Sequence, residues 1–373
     1  MSVTVIGAGV SGLSIAFHLL ERKLGPVTVV DRAGIAAGAS GIQPGGVRQQ
    51  WSTRPSCLMA RESHGYYADL AGRLGSPVRA RFDPCGYLFA ADSEETLGRL
   101  AANVSVQHDA GVPSRLVSAA EAAALVPGLR TEGILGAAHC SEDGYFDRPR
   151  DVVEAFATAA RDRGARFELA SEVTAVARDG SGWRLETRTG STMSDHLVVA
   201  AANGSIPLLA PLGFELPITS ETRYLFLSEP LPTRVLDPLV IAVDRGIAVK
   251  QLADGRLLAS DLQATGSPTD GQARWRARIA EQLAWLLPEA DVSLPTMMCG
   301  VYDMTPDAQP IVDMLAEGLW VAAGFSGHGF MIAPSTGRVV AGGIASDEPP
   351  EWHTAVGWKR FAAGERELES QVI

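Results

Sequence analysis

Cysteine and long hydrophobic runs are scarce in this sequence. The four cysteines are widely separated, with no Cys-x-x-Cys pair and no grouping with histidine at zinc spacing: Cys57, Cys85, Cys140 and Cys299. We therefore expect free thiols in a reducing cytoplasm and no metal site. No apolar run approaches the roughly 20 residues that a membrane-spanning helix requires.

Positive charge is also in short supply. The 373 residues include 32 Lys and Arg against 43 Asp and Glu, which gives a net charge of −11. This balance argues against a surface for nucleic acid or anionic membranes. The length is sufficient for one large domain or two joined domains. Because the first predicted strand begins at residue 3, we expect no targeting peptide and a cytoplasmic location.

The first 31 residues are the most informative stretch. Val3–Ile6 is a short apolar run typical of a buried strand, residues 7–12 read Gly-Ala-Gly-Val-Ser-Gly, and residues 13–24 repeat apolar side chains at helical spacing. A second apolar run, Val27–Val30, ends on the acid Asp31. A strand, a glycine-rich turn, a helix and a strand ending in an acid predict a dinucleotide-binding unit.

Each glycine of this turn has a predicted role. Gly7 permits the tight turn, Gly9 lets the main chain approach a pyrophosphate, and Gly12 lets the helix pack closely on the strand. The N-terminus of the helix that follows the turn would face the phosphates with free N–H groups and a partial positive charge. The spacing therefore favours a nucleotide site over a plain connecting turn.

The acid and the segment after it extend this prediction. Asp31 is placed to accept hydrogen bonds from the ribose hydroxyls, and an acid there disfavours the 2′-phosphate of an NADP-type ligand. Residues 33–51 hold many Gly and Ala and end in Val-Arg-Gln-Gln-Trp. A flexible linker is the alternative, but we interpret the segment as main chain laid against a flat ligand, with Arg48 pointing into a site.

The rest of the chain divides into a region of alternating helices and strands and a region of short strands. Helices are predicted over residues 55–74, 93–110, 151–163, 272–287 and 334–344. Short runs separated by Pro, Gly and Asp over residues 217–263 predict an antiparallel sheet, and therefore a second layer or domain. A buried strand over residues 319–323 precedes Gly-Phe-Ser-Gly-His-Gly-Phe at 324–330. The acids among residues 365–369 are predicted to be solvated.

Several separated segments together resemble one family. They are residues 7–12 with Asp31, 38–41, 46–50, 143–145, 302–307 and 324–330. In order and spacing they resemble the FAD-dependent amine oxidoreductases of the D-amino-acid oxidase superfamily, in the branch of glycine oxidase, sarcosine oxidase and the sarcosine/proline dehydrogenase β-subunit.

This resemblance implies an α/β (α+β) fold with two interleaved domains. A Rossmann-type FAD-binding domain is expected over residues 1–80, 145–215 and 300–345. A substrate domain built on a mixed, largely antiparallel sheet is expected over residues 81–144 and 216–299, followed by a C-terminal tail at 346–373.

The resemblance also implies which residues hold FAD. They are Gly7, Gly9, Val10, Ser11, Gly12, Asp31, Arg32, Ala39, Ser40, Gly45, Gly46, Val47, Val173, Ala201, Gly204, Gly327, His328, Gly329, Phe330 and Met331. The N–H groups of residues 327–330 would stabilise negative charge on the pyrimidine edge of the flavin. The substrate hydride would pass to flavin N5, giving an imine that hydrolyses to a carbonyl compound and an amine.

Three departures from the family pattern matter. Sarcosine oxidases attach FAD through a cysteine at the position of Gly300, so non-covalent FAD is expected here. The lysine and arginine that contact the substrate carboxylate in sarcosine and glycine oxidases are replaced by Met331 and by a residue near Tyr302 that is not arginine. A carboxylate substrate therefore needs another cation or set of hydrogen-bond donors.

The candidates for substrate binding and catalysis are Arg48, Tyr302, His328, Lys250 and Tyr224. Arg48 and Tyr302 are favoured, since a guanidinium is the best fork for a carboxylate. Lys250 is equally consistent with a solvated strand residue. Tyr224 lies next to another candidate cation, Arg223, and the two would occupy opposite faces of a strand, so at most one of them points into the pocket.

The predicted reaction is oxidation of the C–N bond of a small amino acid or secondary amine. The expected substrate is an N-substituted glycine (sarcosine, glycine or an N-carboxymethyl amino acid), with glyoxylate or another carbonyl as product and O2 as acceptor. A dehydrogenase subunit that passes electrons to a partner protein, a 2-hydroxy-acid oxidase and a non-catalytic flavoprotein stay open. An NAD-dependent dehydrogenase is disfavoured, because residues 324–330 have no role there.

Overall fold

The computed structural model describes residues 1–264, 266, 268–364 and 366–372. Its strands are β1 (Val3–Ile6), β2 (Val27–Val30), β3 (Gly46–Val47), β4 (Phe82–Asp83), β5 (Tyr87–Ala91), β6 (Arg115–Ser118), β7 (Gly136–Cys140), β8 (Gly144–Phe146), β9 (Arg166–Glu168), β10 (Val173–Asp179), β11 (Gly182–Thr187), β12 (Gly190–Ser194), β13 (His196–Val199), β14 (Thr219–Pro230), β15 (Leu239–Ala242), β16 (Ile247–Gln251), β17 (Arg256–Asp261), β18 (Thr296–Met304), β19 (Ile311–Ala316) and β20 (Leu319–Ala323).

Its α-helices are α1 (Val10–Glu21), α2 (Arg54–Ala68), α3 (Leu70–Leu74), α4 (Glu94–Asp109), α5 (Ala119–Leu125), α6 (Pro149–Asp162), α7 (Ser205–Leu209), α8 (Pro268–Leu286), α9 (Ala333–Ile344), α10 (His353–Val356) and α11 (Arg360–Ala363). In the described ranges, no helix is long and apolar enough to cross a membrane.

A largely parallel sheet has the strand order β19-β20-β13-β1-β2-β9. Only β19 pairs antiparallel, at one edge. Central strands of such a sheet are buried on both faces and are therefore apolar throughout. Val5 belongs to the core beneath α1, α6 and α9, whereas Ile6 packs in the core that the β10–β12 sheet covers on the other face.

A second sheet has the order β18-β14-β17-β16-β15-β5-β7-β6 and is antiparallel except where β15 pairs with β5. Helix α8 covers one face through Trp275, Ile279 and Leu283. Helix α4 covers the other face through Leu100 and Val104. This is the antiparallel layer that the short runs of residues 217–263 predict.

The expected domain boundary at residue 300 needs correction. Strand β18 runs from Thr296 to Met304 and pairs along its length with β14, so it belongs to the second sheet. The return of the chain to the parallel sheet therefore comes after Met304. A small sheet, β3-β8-β4, lies apart from both large sheets and pairs Gly46 with Tyr145.

The tail also differs from expectation. Glu369 is only 1% exposed, so the prediction of a solvated acid is wrong at this position. Its carboxylate accepts hydrogen bonds from the distant Ser52 and Thr53, a long-range contact that no local pattern announces. Glu365, which was included in the same prediction, lies outside the described residues.

The packing of the first turn yields a test. A Cβ at Gly12 would lie 2.1 Å from the carbonyl oxygen of Gly7. The main chain at Gly7 and at Gly12 cannot move apart without disrupting the turn and the helix. Gly12→Ala is therefore expected to lower the free energy of unfolding by about 2 kcal/mol or more. Urea unfolding followed by tryptophan fluorescence measures this.

The control is Gly65→Ala in the middle of α2, where no heavy atom of the described structure lies within 4 Å of the added methyl group. It is expected to raise the free energy of unfolding by roughly 0.5–1 kcal/mol, because alanine loses less backbone freedom than glycine. Equal stability of the Gly12 and Gly65 variants would contradict the close-approach argument.

Candidate active site

The predicted nucleotide residues converge at one edge of the parallel sheet. Strands β1, β2, β13 and β20 all end there, because parallel strands bring their carboxyl ends to the same edge. Gly7 has φ +115°, and a Cβ on it would lie 2.2 Å from the carbonyl oxygen of Ala200, just after β13. The turn after β1 therefore lies directly against the end of β13.

The start of α1 offers main-chain donors. The N–H groups of Ser11 and Gly12 have no hydrogen-bond partner among the described residues, and Val10 N donates to Ser40 Oγ at 3.1 Å. The 3-10 turn Ala39–Gly41 thus lies beside the helix N-terminus. These groups form a cradle for an anion such as a pyrophosphate.

Asp31 stands at the end of β2, as predicted, and already has main-chain partners. Its carboxylate accepts from the N–H groups of Ala8, Ala33 and Gly34, each at 2.8 Å. A carboxylate has about four lone-pair sites, so it retains capacity for a ribose hydroxyl. The next residue, Arg32, is exposed.

Two further expected contacts lie at the same edge. Val173 opens β10 and, with Val30, lines a cavity of about 200 Å³. Ala201 and Gly204 follow β13 in a short turn. Between them, Asn203 donates to the carbonyl of Tyr302 at 3.3 Å, and its buried Oδ1 has no partner in the part of the chain that the structure describes.

The turn at 324–331 joins β20 to α9. Gly324 and Gly327 have φ of +68° and +86°, and Gly324 N donates to Asp303 at 2.7 Å. Burial raises the pKa of Asp303 to about 6. Tyr67 donates to the carbonyl of Phe330 at 2.5 Å. His328 N donates to the carbonyl of Phe325 at 2.8 Å, so the expectation that it faces the flavin is wrong. The N–H groups of residues 329–331 have no partner within the described structure and are available to a ligand.

The segment 45–51 forms the opposite side. Gly46 is in β3, and a Cβ there would overlap the hydroxyl of Tyr87. Asp143 accepts from Gln49 N at 2.8 Å and from Gln50 Nε2 at 3.0 Å. Burial raises the pKa of Asp143 to about 6, while these two donors act in the opposite direction. The carboxylate thus fixes the two residues that follow Arg48.

Arg48 is 1% exposed, and its guanidinium lies 3.5 Å from the ring centroid of Trp51. Its two Nη atoms donate to the carbonyls of Gln50 and Gln371. Among the described residues, its Nε has no partner and no carboxylate lies within ion-pair distance. Burial lowers the pKa of Arg48 to about 10. The nearby charges of Glu369 and Asp143 act in the opposite direction, but neither carboxylate pairs directly with the guanidinium, which is therefore suited to bind an anion.

His328 is brought to the same place. Its ring packs edge-on against Trp51, with 4.2 Å between the centroids, and its buried Nε2 has no partner in the described ranges. Burial, with a smaller contribution from nearby Arg48, holds the pKa of His328 well below its ordinary value. The imidazole is therefore neutral and serves as a hydrogen-bonding group.

Tyr302 packs on the other side of the same turn. A Cβ on Gly327 would lie 2.3 Å from its ring. Burial raises the pKa of Tyr302, so the phenol is neutral. Arg223 lies 5.9 Å from the Tyr302 ring, but it pairs with Glu221 at 2.9 Å. Of the two arginines, Arg48 is thus the one left without a carboxylate in the described structure.

The other two candidates, Lys250 and Tyr224, are both buried. Lys250 is 1% exposed, donates to the carbonyl of Phe146 at 3.3 Å and lies 4.1 Å from the Tyr145 ring centroid, so the alternative of a solvated strand residue is wrong. Tyr224 stacks on Trp275 at 4.2 Å in the core beneath α8. Tyr224 is therefore packed in this core and not beside Arg48. As predicted, it lies on the opposite face of β14 from Arg223.

Four residues of the site were missed by sequence reasoning. Asp143 and Asp303 stand within the segments that carry the family resemblance, so their motifs were an available signal. Glu369 and Gln371 lie in a tail without periodicity or motif, and no local signal marks them. In the residues that the structure covers, no cluster of His, Cys, Asp and Glu is suited to a metal ion.

The residues present fit the FAD that the resemblance implies. Free N–H groups at Ser11 and Gly12 suit its pyrophosphate, and those of residues 329–331 suit an electron-rich ring edge. The buried Nε2 of His328 and Oδ1 of Asn203, which lack partners among the described residues, are groups that a polar ligand satisfies.

Comparison with known proteins agrees with this geometry. A sequence model of the family "FAD dependent oxidoreductase" matches residues 2–342. Sarcosine oxidase subunit beta of Rhodobacter capsulatus is 28% identical over 97% of this chain and 89% of its own length. Glycine oxidase of Geobacillus kaustophilus is 28% identical over 91% of each chain.

Among solved structures, L-proline dehydrogenase from P. horikoshii superposes with a TM-score of 0.91 and 25% identity, covering 98% of each chain. The fold is therefore shared over nearly the whole length. Because the family match also covers most of the chain, this protein belongs to the FAD dependent oxidoreductase family.

Proposed function

We propose that this protein oxidises the C–N bond of a small amino acid or secondary amine, with an N-substituted glycine as substrate. One observation carries the proposal. Arg48, buried beside the 324–331 turn, has no carboxylate partner among the described residues. A substrate carboxylate would supply the missing charge. The relatives named for sarcosine, glycine and proline support an amine next to that carboxylate.

The energetics favour an anionic ligand at Arg48. Hydrogen bonds to charged groups contribute about 1.5–3 kcal/mol each, and a buried cation without a counter-charge is costly. The guanidinium already donates to two carbonyls, which hold its plane, while Nε has no partner among the described residues. Trp51 stacks on one face and excludes water. A carboxylate would thus meet an oriented donor set.

The neighbouring residues would orient the amine end of the substrate. FAD, when bound, supplies the acceptor for the hydride of the substrate C–H bond. His328, neutral and with a free Nε2 in the described structure, is suited to hold the substrate amine in its deprotonated form. Tyr302 packs against the same 324–331 turn, and its phenol is neutral. The imine released after oxidation hydrolyses to a carbonyl compound and an amine.

We further propose that FAD is held without a covalent bond. Cys299 is exposed on β18, and period-two alternation places its side chain on the opposite face from that of Tyr302, which packs on the 324–331 turn. Gly300, which shares the Tyr302 face, offers no nucleophile.

A second candidate is a dehydrogenase subunit that passes electrons to a partner protein. The similarity to a protein named sarcosine oxidase subunit beta, and the shared fold with L-proline dehydrogenase, favour this candidate. The two candidates share the substrate half-reaction and differ only in the electron acceptor.

The substrate half-reaction is tested by anaerobic flavin absorbance of the FAD-loaded protein with a panel of N-substituted glycines. We expect one member to bleach the oxidised-flavin bands. Arg48→Lys keeps the charge but loses the planar fork, so the concentration for half-maximal reduction is expected to rise roughly ten- to hundredfold. Bands that persist with every amine would show that the proposed reaction is wrong.

The matched control is Arg150→Lys in α6, an exposed arginine that pairs with Glu154 on the surface. It is expected to leave the concentration dependence unchanged. If the Arg48 and Arg150 variants behave alike, the carboxylate does not bind at Arg48.

The acceptor is tested by peroxide yield in air. An oxidase is expected to form hydrogen peroxide equimolar with the carbonyl product. A dehydrogenase subunit is expected to form far less, yet to reduce an artificial dye at the same rate as substrate is consumed. A low peroxide yield with rapid dye reduction would contradict O2 as the acceptor.

Lys250 gives a pH-dependent test. Burial lowers the pKa of Lys250 from 10.5 to about 8. The folded protein thus binds fewer protons than the unfolded chain between those values, and stability rises with pH across that window. Below pH 8 the cost of burying the ammonium is fully present. Lys250→Met is expected to raise the free energy of unfolding at pH 7 by up to about 3 kcal/mol.

This gain is expected to vanish near pH 10.5, where Lys250 is neutral in the fold and increasingly neutral in the unfolded chain. Urea unfolding at pH 7 and at pH 10.5 measures the difference. The same change at exposed Lys359 is the control and should leave the pH dependence of stability unaltered. A Lys250 variant that is less stable at pH 7 would show that its polar contacts outweigh the burial cost.

A further inference from the structure

The C-terminal segment of residues 366–372, here called the C-terminal strap, returns to the candidate site. It is anchored by the buried ion pair of Arg360 with Asp307, in which the Nε to Oδ2 distance is 2.7 Å. Glu369 N donates to the carbonyl of Asp307 at 3.0 Å, and Gln309 Nε2 donates to that of Glu367 at 2.6 Å. The strap is thus a fixed part of the fold.

Glu369 ties this strap to the chain that follows Trp51. Its buried carboxylate accepts from Ser52 N at 2.9 Å and from Thr53 N at 3.1 Å, as well as from both hydroxyls. The N–H of Gln371 donates to it as well, at 2.9 Å. Five donors satisfy the hydrogen-bonding capacity of this buried carboxylate, so it holds the C-terminal strap firmly against residues 52 and 53.

Two residues further on, the strap contacts the guanidinium directly. The main-chain carbonyl of Gln371 accepts from Arg48 Nη2, and its side-chain oxygen accepts from Asn103 Nδ2 at 2.5 Å. The contact with Arg48 is made by main chain, so its position depends on the path of the strap. That path is set by Glu369.

We propose that Glu369 and the main chain of Gln371 are positioning residues that fix the Arg48 guanidinium before an anionic substrate arrives. The proposal rests on the proposed function, in which Arg48 binds the substrate carboxylate. A guanidinium that is already held in place loses little conformational freedom when the substrate binds. This smaller loss of entropy increases the affinity for the substrate. An ordinary C-terminal anchor would stabilise the fold without changing recognition of a charge.

The test compares three FAD-loaded proteins: the full chain, a chain ending at Val372, and a chain ending at Leu368. The probes are methoxyacetate, which replaces the amine of N-methylglycine by an ether oxygen, and its uncharged amide, methoxyacetamide. Flavin absorbance gives the Kd of each. Removing residues 369–373 is expected to raise the Kd of methoxyacetate about tenfold and that of the amide less than about twofold.

The chain that ends at Val372 is the matched control, since it keeps Glu369 and keeps the Gln371 carbonyl as an uncharged peptide group. Both Kd values are expected to match those of the full chain. A loss of affinity that is equal for acid and amide, or no loss at all, would overturn the proposal. Because the longer truncation risks poor folding, Glu369→Gln provides a second variant that retains the strap but loses one acceptor oxygen.

Amide hydrogen exchange supplies a readout that does not depend on turnover. Ser52 and Thr53 N–H are expected to exchange slowly in the full chain, and faster in Glu369→Gln and in the chain ending at Leu368. Unchanged exchange would overturn the positioning role even if amines reduce the flavin. Changed exchange and changed acid affinity, in a protein whose flavin no amine reduces, would leave the positioning role standing and refute the proposed reaction.

Discussion

Carboxylates that accept main-chain N–H groups hold the loops around this site. Asp31 fixes the turns after β1 and β2, Asp143 fixes the chain beside Arg48, Asp303 fixes the start of the 324–331 turn, and Glu369 fixes the turn after Trp51. Loops cannot be packed by hydrophobic burial alone, because their polar main chain must be satisfied. Charged acceptors solve this problem with strong, directional bonds.

The hydrogen bonds of these carboxylates also affect how charge is paired around Arg48. The carboxylates near Arg48 are engaged with N–H donors rather than with the guanidinium itself, so within the described structure the cation keeps no ion-pair partner. Negative charge thus holds the main chain in place, and the proposed anionic substrate would supply a direct partner for Arg48. The neutral imidazole of His328 beside Arg48 fits this division, since a second cation there would raise the cost of burial.

Much of the fold was predictable because its signals are local. The glycine spacing from Gly7 to Gly12 predicted the turn between β1 and α1. Alternation and turn residues identified the antiparallel layer. The boundary at residue 300 was wrong because β18 continues its pairing with β14 through Gly300, and pairing is decided by a partner strand about 80 residues away.

The sequence by itself determined the cofactor half of this protein, since phosphate binding depends on glycines, a helix N-terminus and an acid at short, fixed spacing. Only the tertiary structure decided the substrate half. It buried Lys250, sent Tyr224 into a different core, and brought Glu369 to Ser52 across 317 residues of chain. The physical reason is that a side chain's charge state and partners depend on what is packed around it, and packing joins residues that no local spacing relates.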